Sequence, residues 1–290
     1  MKIGEAPAAG IFRMNCAECF PRFVYSRRLV LKRIILAVIL FSLSFNSGSE
    51  VCAGKPSVTV VFRYDDCSAV SPTDFEMQLI RMFEKYGFPC SFGIIPFRYV
   101  GEGAGLKIFP PEKAGVFKEA VQSGTLEIAA HGYSHQPLSN ENRSEFSGVD
   151  YQTQAEKIRS GKEYLEKIFG VRVNTFMPPY NSCDLNTVRA LEDSGFVSLS
   201  AWGDPVAEAS ALKFIPGTCH KLGMMKAAVE AERNAPVPKP VVFIFHAFDF
   251  LDVNPGKGNY RVRDFEDFLI WLKAQNDVCV KTLDQVAGTE

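Results

Sequence analysis

From Val58 to the end of the chain, short apolar runs alternate with amphipathic helical patterns, and this alternation restricts the possible folds more than any other feature. Val58–Tyr64 reads as a strand of β-branched and aromatic residues. A helix over Thr73–Tyr86 follows, with Phe75, Leu79, Met82, Phe83 and Tyr86 at helical spacing between the start signal Pro72 and the stop signal Gly87. The pairing then repeats as strand Cys90–Ile95 with helix Pro111–Gln122, strand Leu126–Ala130 with helix Tyr151–Phe169, and strand Asn174–Met177 with helix Leu185–Ser194. Further strands are expected over Phe196–Ala201, Lys213–Ile215, Val241–Phe245 and Val278–Lys281, and helices over Lys221–Glu230 and Val262–Ala274. Such a pattern implies parallel strands covered by helices, hence an α/β fold. A barrel and an open doubly wound sheet both satisfy it, and both place active sites at the carboxyl ends of their strands.

Residues 1–53 have a different character. Arg27-Arg28-Leu29-Val30-Leu31-Lys32-Arg33 is basic, Ile34–Phe45 is apolar, and a polar stretch then leads to Val51-Cys52-Ala53. That order matches a secretory signal. The apolar stretch is short of the roughly 20 residues a spanning helix needs, although an uncleaved anchor has the same outline. The 26 residues before Arg27 are long for a signal's leading segment, and Met14 offers an internal start. The expected organisation is an N-terminal extension with signal peptide or anchor over 1–53 and one catalytic barrel over 54–290. The product would be exported, periplasmic or extracellular, and would touch a membrane only through a retained anchor. A formal net charge of −1 without a basic stripe argues against a nucleic-acid partner. Cys16 and Cys19 form a C-x-x-C with no second pair to complete a zinc site. Cys67, Cys90, Cys183, Cys219 and Cys279 are expected as buried thiols, with Cys67 and Cys183 the one pairing that the motif positions suggest.

The strand exits carry the chemistry. The first ends in Asp65-Asp66, adjacent carboxylates that alternation cannot send into one core but that can serve as a base and a metal ligand on a pocket rim. The third runs into His131-Gly132-Tyr133-Ser134-His135. Along an extended strand these imidazoles would lie roughly 13 Å apart, so they share an ion only if the chain turns helically, which Gly132 eases. Asp66, His131 and His135 then make a two-histidine, one-carboxylate triad suited to zinc, and also to cobalt, nickel or iron. The fourth strand leads to Met177-Pro178-Pro179-Tyr180, a rigid loop in which the Tyr180 hydroxyl or amide would bind an oxyanion. Val241–Phe245 exits at His246, a candidate general acid, whereas His220 has no comparable context.

Taken in order, D-D, H-x-x-x-H, P-P-Y and a late strand-end histidine resemble the polysaccharide deacetylases, the NodB-like carbohydrate esterases of family four. The resemblance runs from about Val58 to Gly288 and includes Val280–Ala287. It implies a distorted (β/α) barrel of about seven parallel strands, a divalent metal and an acylated carbohydrate substrate that loses an N- or O-acetyl group. It also implies Asp65 as base, Asp66, His131 and His135 as metal ligands, Pro179 and Tyr180 in the oxyanion loop, and His246 as the acid toward the departing amine.

The chain departs from the family pattern at three places. Met177 stands where the third motif usually has arginine, Gly132 where Ser or Thr usually follows the first histidine, and Cys67 where glycine often follows the aspartates. Arg63 lies two residues before Asp65 on the same strand face, in position to hold that carboxylate in place of the missing arginine. Asp204 is a candidate for orienting His246. Two other functions fit the same barrel: hydrolysis of a non-sugar linear amide, and carbohydrate binding without catalysis.

Overall fold

The computed structural model describes residues 57–203, 206 and 210–288. The expected signal or anchor, the C-x-x-C and Asp204 lie outside these residues. Strands β1 (Val58–Cys67), β2 (Cys90–Ile94), β3 (Phe97–Tyr99), β4 (Leu106–Ile108), β5 (Leu126–Ala130), β6 (Thr175–Phe176), β7 (Ser198–Leu199), β8 (Lys213–Phe214), β9 (Val241–Phe245) and β10 (Val278–Val280) alternate with helices. The helices are α1 (Thr73–Tyr86), α2 (Pro111–Gln122), α3 (Tyr151–Phe169), α4 (Leu185–Asp193), α5 (Leu222–Arg233), α6 (Val262–Lys273) and α7 (Leu283–Ala287). The β3–β4 hairpin, antiparallel and separate from the main sheet, has no counterpart in the alternation read from the sequence. Among the described residues no helix is long and apolar enough to cross a membrane.

The main sheet is parallel throughout, in the order β10-β1-β2-β5-β6-β7-β8, with β9 also paired to β1. Strand β1 is the hub, because its start pairs with β10, its middle with β9 and its end with β2. Beyond β8, the bridge from Cys219 to Phe243 joins that segment to β9 and closes the ring. The result is a distorted (β/α) barrel.

Period-two alternation sorts every strand into an outer and an inner column. On β1, Val58, Val60, Phe62 and Tyr64 pack outward under the helices. Phe62 there meets Phe83 at 5.1 Å and Phe265 at 5.9 Å between ring centroids. Val61, Ala129, Met177, Ile215, Val242, Ile244 and Leu283 instead form a second core within the barrel. Space inside is short: a Cβ on Gly93 would lie 2.8 Å from Met177 Sδ and 3.2 Å from His131 Cβ. Continuing each inner column toward the carboxyl end leads to Arg63 and Asp65, His131, Pro179, Ser200 and His246. The register that fills the interior therefore also delivers the chemistry.

A polar layer closes the opposite end. Glu127 accepts hydrogen bonds from the hydroxyls of Ser91 and Thr175 and from the Asp284 amide at the start of α7, while Leu283 plugs the opening. Burial pushes the Glu127 carboxyl above its ordinary value of 4.5 despite these bonds. A carboxyl whose folded pKa is raised contributes stability below its unfolded value and loses it as pH rises through the folded value. Wild-type protein should therefore lose stability relative to Glu127→Gln as pH climbs from about 4.5. Urea titrations at successive pH values test this, and a pH-independent difference between the two proteins would refute it.

Cys67 and Cys183 are not bridged to each other; Cys67, Cys90 and Cys219 are buried as expected, whereas Cys183 and Cys279 are only half-buried. His220 is exposed and rests edge-on against Trp202.

Candidate active site

The exit of β1 separates its two carboxylates by a bulge. Pairing with β2 slips between Tyr64 and Cys67, and Asp66 takes a left-handed backbone with φ 68°. Asp65 keeps the inner column, whereas Asp66 is turned from the outer face toward the histidines. Arg63, fully buried, forks onto Asp65 with Nε–Oδ1 at 2.9 Å and Nη2–Oδ2 at 2.6 Å. Its Nη1 donates to the carbonyl and hydroxyl of Ser200, at 2.9 and 3.2 Å. Burial opposes ionisation of Asp65, but the neighbouring Arg63 guanidinium above all outweighs it and holds the carboxyl below its ordinary value. Beneath this exit, the buried Lys113 Nζ lies 2.6 Å from Glu76 and donates to the Ser68 and Ser71 carbonyls, which fixes the turn after the aspartates.

No helix forms between His131 and His135. A loop with left-handed residues at Gly132 (φ 67°) and His135 (φ 57°) brings the ring centroids to 5.1 Å. Buried Glu145 organises this loop by accepting from the amides of Tyr133, Ser134 and His135 and from the Ser134 hydroxyl. A Cβ on Gly132 would sit 2.4 Å from Pro179 Cγ and 2.5 Å from Glu145 Oε2. Glycine is required here both for its backbone conformation and for the close approach. A serine or threonine here would need a different loop.

Asp66, His131 and His135 each aim one ligand atom at a common point, all within 4.8 Å of one another. Asp66 Oδ1 lies 3.3 Å from His131 Nε2 and 3.0 Å from His135 Nε2, yet it is buried without a partner of hydrogen-bonding geometry. His131 Nδ1 is 3.0 Å from the Met177 carbonyl, which can only accept, so Nδ1 carries the proton and the Nε2 lone pair faces Asp66. The Asp66 oxygen and the His131 Nε2 lone pair, directed at each other beside His135 Nε2, are costly together unless a cation lies among them. The residues present fit a divalent metal.

Tyr180 and Asn181 are also left-handed, with φ 59° and 53°. Three of the four non-glycine residues with positive φ among those described are thus sequence-derived site residues, Asp66, His135 and Tyr180. Strain is gathered where the chain must bend its side chains to one place. The Tyr180 hydroxyl donates to the His135 carbonyl at 3.0 Å, and its ring lies 4.4 Å from the His135 ring. Outside its own short helical turn the Tyr180 amide has no backbone acceptor among the described residues, so of the two oxyanion donors weighed from the sequence the hydroxyl is the one engaged elsewhere.

His246 leaves β9 toward Asp65, and its orienting partner is Asp249. That carboxylate lies 3.1 Å from Nδ1 and accepts from the His246 amide at 2.8 Å, while Asn259 steadies its other oxygen at 3.0 Å. Burial alone would lower the His246 pKa, but Asp249 together with Asp65 and Asp66 raises it above 6.5. Asp249, Glu145 and Ser200 were not singled out from the sequence. Only Asp249 left a signal there, three residues after His246 and on the same short turn. A cavity of about 710 Å³ between α5 and α6 touches this arrangement only through Asn259.

The polysaccharide deacetylase family model matches residues 53–199, a stretch that ends before His246. A putative polysaccharide deacetylase from Mycobacterium smegmatis is similar in structure at 19% identity and TM-score 0.58, covering 82% of this chain and 91% of its own. A probable polysaccharide deacetylase from Pseudomonas aeruginosa PAO1 is similar at 16% identity and TM-score 0.58, covering 80% and 90%. PuuE allantoinase shares the fold at 15% identity and TM-score 0.59, covering 81% and 91%. No curated protein sequence matches. With the family match extending over half of its length and the barrel in common, the chain belongs to the polysaccharide deacetylase family.

Proposed function

We propose that this protein is a metal-dependent hydrolase that removes an N-acetyl or related acyl group from a carbohydrate. The observation that carries this reading is the convergence of Asp66, His131 and His135 on one point, flanked by Asp65 and His246. A divalent cation held by those three residues, zinc first and cobalt, nickel or iron next, would polarise the acyl oxygen and make water a better nucleophile.

The remaining roles belong to side chains and backbone. Asp65, ionised and held in one rotamer by Arg63, takes the proton from the attacking water. The Tyr180 amide, on the loop stiffened by Pro178 and Pro179, donates to the oxygen on which negative charge develops. His246, kept protonated by Asp249 and nearby carboxylates, gives its proton to the departing nitrogen as the C–N bond breaks. The products are a free amine on the sugar and a carboxylate. The basic and apolar segments before residue 53 support export, which would bring the enzyme to extracellular or cell-envelope carbohydrate.

Metal analysis combined with acetate release from N-acetylglucosamine oligomers tests the reading. Bound metal with release is expected, whereas saccharide binding with neither metal nor release would overturn it. The acid role makes a separate prediction. Asp249→Asn removes a charge that raises the His246 pKa, so the alkaline limb of kcat should move to lower pH. An unmoved limb would dissociate His246 from proton donation.

A further inference from the structure

Two helices send oppositely charged side chains beneath the turn that follows Asp66, and the proposed chemistry uses neither of them. Glu76 comes from the first turn of α1 and Lys113 from the first turn of α2, and both are buried. The Lys113 ammonium stands 5.6 Å from the ring centroid of Phe109 and 6.0 Å from that of Phe117, both fully buried rings. Its three N–H bonds go to the Ser68 carbonyl at 2.9 Å and to the Ser71 carbonyl and hydroxyl, each at 3.0 Å. Glu76 Oε2 lies 2.6 Å from the same nitrogen as an ion pair, off hydrogen-bonding alignment. Ser71 Oγ accepts from the Ser68 amide at 2.8 Å and donates to Glu76 Oε1 at 2.5 Å. One buried pair thus ties the Ser68–Ser71 turn to both helices.

A buried ion pair is a poor source of stability, because taking two charges out of water can cost as much as their attraction returns. Its value here is geometric. Asp66 keeps a left-handed backbone, φ 68°, which a non-glycine residue holds only where its surroundings over-determine it. On its amino side, Tyr64 is paired with Phe92 in the sheet. On its carboxyl side, Cys67 is paired with Ile94, and its carbonyl accepts from the Ile95 amide at 2.8 Å. The next residue is Ser68, where Lys113 and Ser71 take hold. Asp66 therefore sits between a strand fixed by the sheet and a turn fixed by the ion pair. Releasing that turn would let its carboxylate swing away from His131 and His135. We infer that Lys113 and Glu76 are positioning residues for Asp66, and that their buried pair sets the affinity of the Asp66–His131–His135 cluster for a divalent cation. The inference rests on the metal reading of that cluster and adds to it a determinant supplied by the helical layer.

Titration of the metal-free full chain with Zn²⁺ against a chromophoric chelator tests it, at a temperature where every variant is folded. The double variant Lys113→Met/Glu76→Gln removes both charges and leaves an amide that can still accept from Ser71. It should bind Zn²⁺ about 10–100-fold more weakly, the loss typical when residues that orient metal ligands are changed. Its Co²⁺ form should show an altered visible spectrum, which reports ligand geometry. In the metal-free protein, the Ser68 amide should exchange its hydrogen about tenfold faster. As a control, Lys85→Met/Glu266→Gln removes the pair that ties the same α1 to α6 near the surface, and should leave Zn²⁺ affinity unchanged. Should the buried double variant fail to fold, Ser71→Ala, which deletes the hydroxyl between Glu76 and the Ser68 amide, should weaken Zn²⁺ binding about tenfold. Wild-type affinity in the buried variants, unchanged exchange at Ser68 or an equal loss in the control overturns the positioning role and leaves the metal reading intact. Wild-type protein that binds no cation removes the metal reading, and the inference with it.

Discussion

Replacing Asp66 with alanine is expected to strip the cation and lower acetate release by about 10³-fold or more, while Asp65→Asn lowers it about 10²–10⁴-fold with the cation retained. The two residues are adjacent in sequence and both acidic, but the left-handed turn at Asp66 gives them different partners. Asp66 faces two imidazole nitrogens, and without it two neutral ligands remain, too few to close a stable site. Asp65 faces Arg63 and has no place in the triad, so its amide variant keeps the ligands and loses only the proton acceptor. Metal content by elemental analysis beside single-turnover acetate release separates the two effects. Loss of metal in both variants would show that the division of labour is wrong.

Arg63→Met should reduce kcat by about 10²-fold, within the range attributed to a positioned general base, with KM and metal content little changed. The guanidinium is the only cation that forks onto Asp65 in the described residues, and Ser200 fixes it from the other side. Removing it also leaves a buried carboxylate unpaired, which costs about 3–5 kcal/mol of stability. Lower yield alone would therefore not distinguish positioning from folding. The double variant Arg63→Met/Met177→Arg does, because Met177 is buried in the inner column at the position where the family resemblance implies an arginine. Recovery of turnover in that protein would identify the charge on Asp65 as the lost quantity. A single variant that turns over within about twofold of wild type would remove Arg63 from the mechanism.

The parts of the site that could be read from the sequence are those governed by period two. Residues 61, 63 and 65 had to share a face, so the approach of Arg63 to Asp65 followed from alternation alone and appears in the structure as a fork. His131 and His246 were legible for the same reason, each ending an apolar run whose inner column was already determined. The manner in which His131 and His135 meet was not. A helical turn was the simplest local solution, but Glu145, ten residues beyond His135, binds three loop amides and makes a tighter path stable. Nothing in the spacing of Glu145 marks it, because its role depends on where a separate loop folds back.

Local alternation and strand exits thus determined a parallel α/β fold, the ligand types and the approach of Arg63 to Asp65, while the choice of a barrel over an open sheet came from the family resemblance and the closing bridge from Cys219 to Phe243. The bulge that turns Asp66 aside, the carboxylate that shapes the histidine loop, the choice of Asp249 to orient His246 and the β3–β4 hairpin pinned to the histidine loop were decided by the tertiary structure. Each depends on contacts or backbone angles that sequence periodicity does not encode. The physical reason is that periodicity fixes which face a side chain takes, whereas left-handed residues and distant partners fix where that face ends.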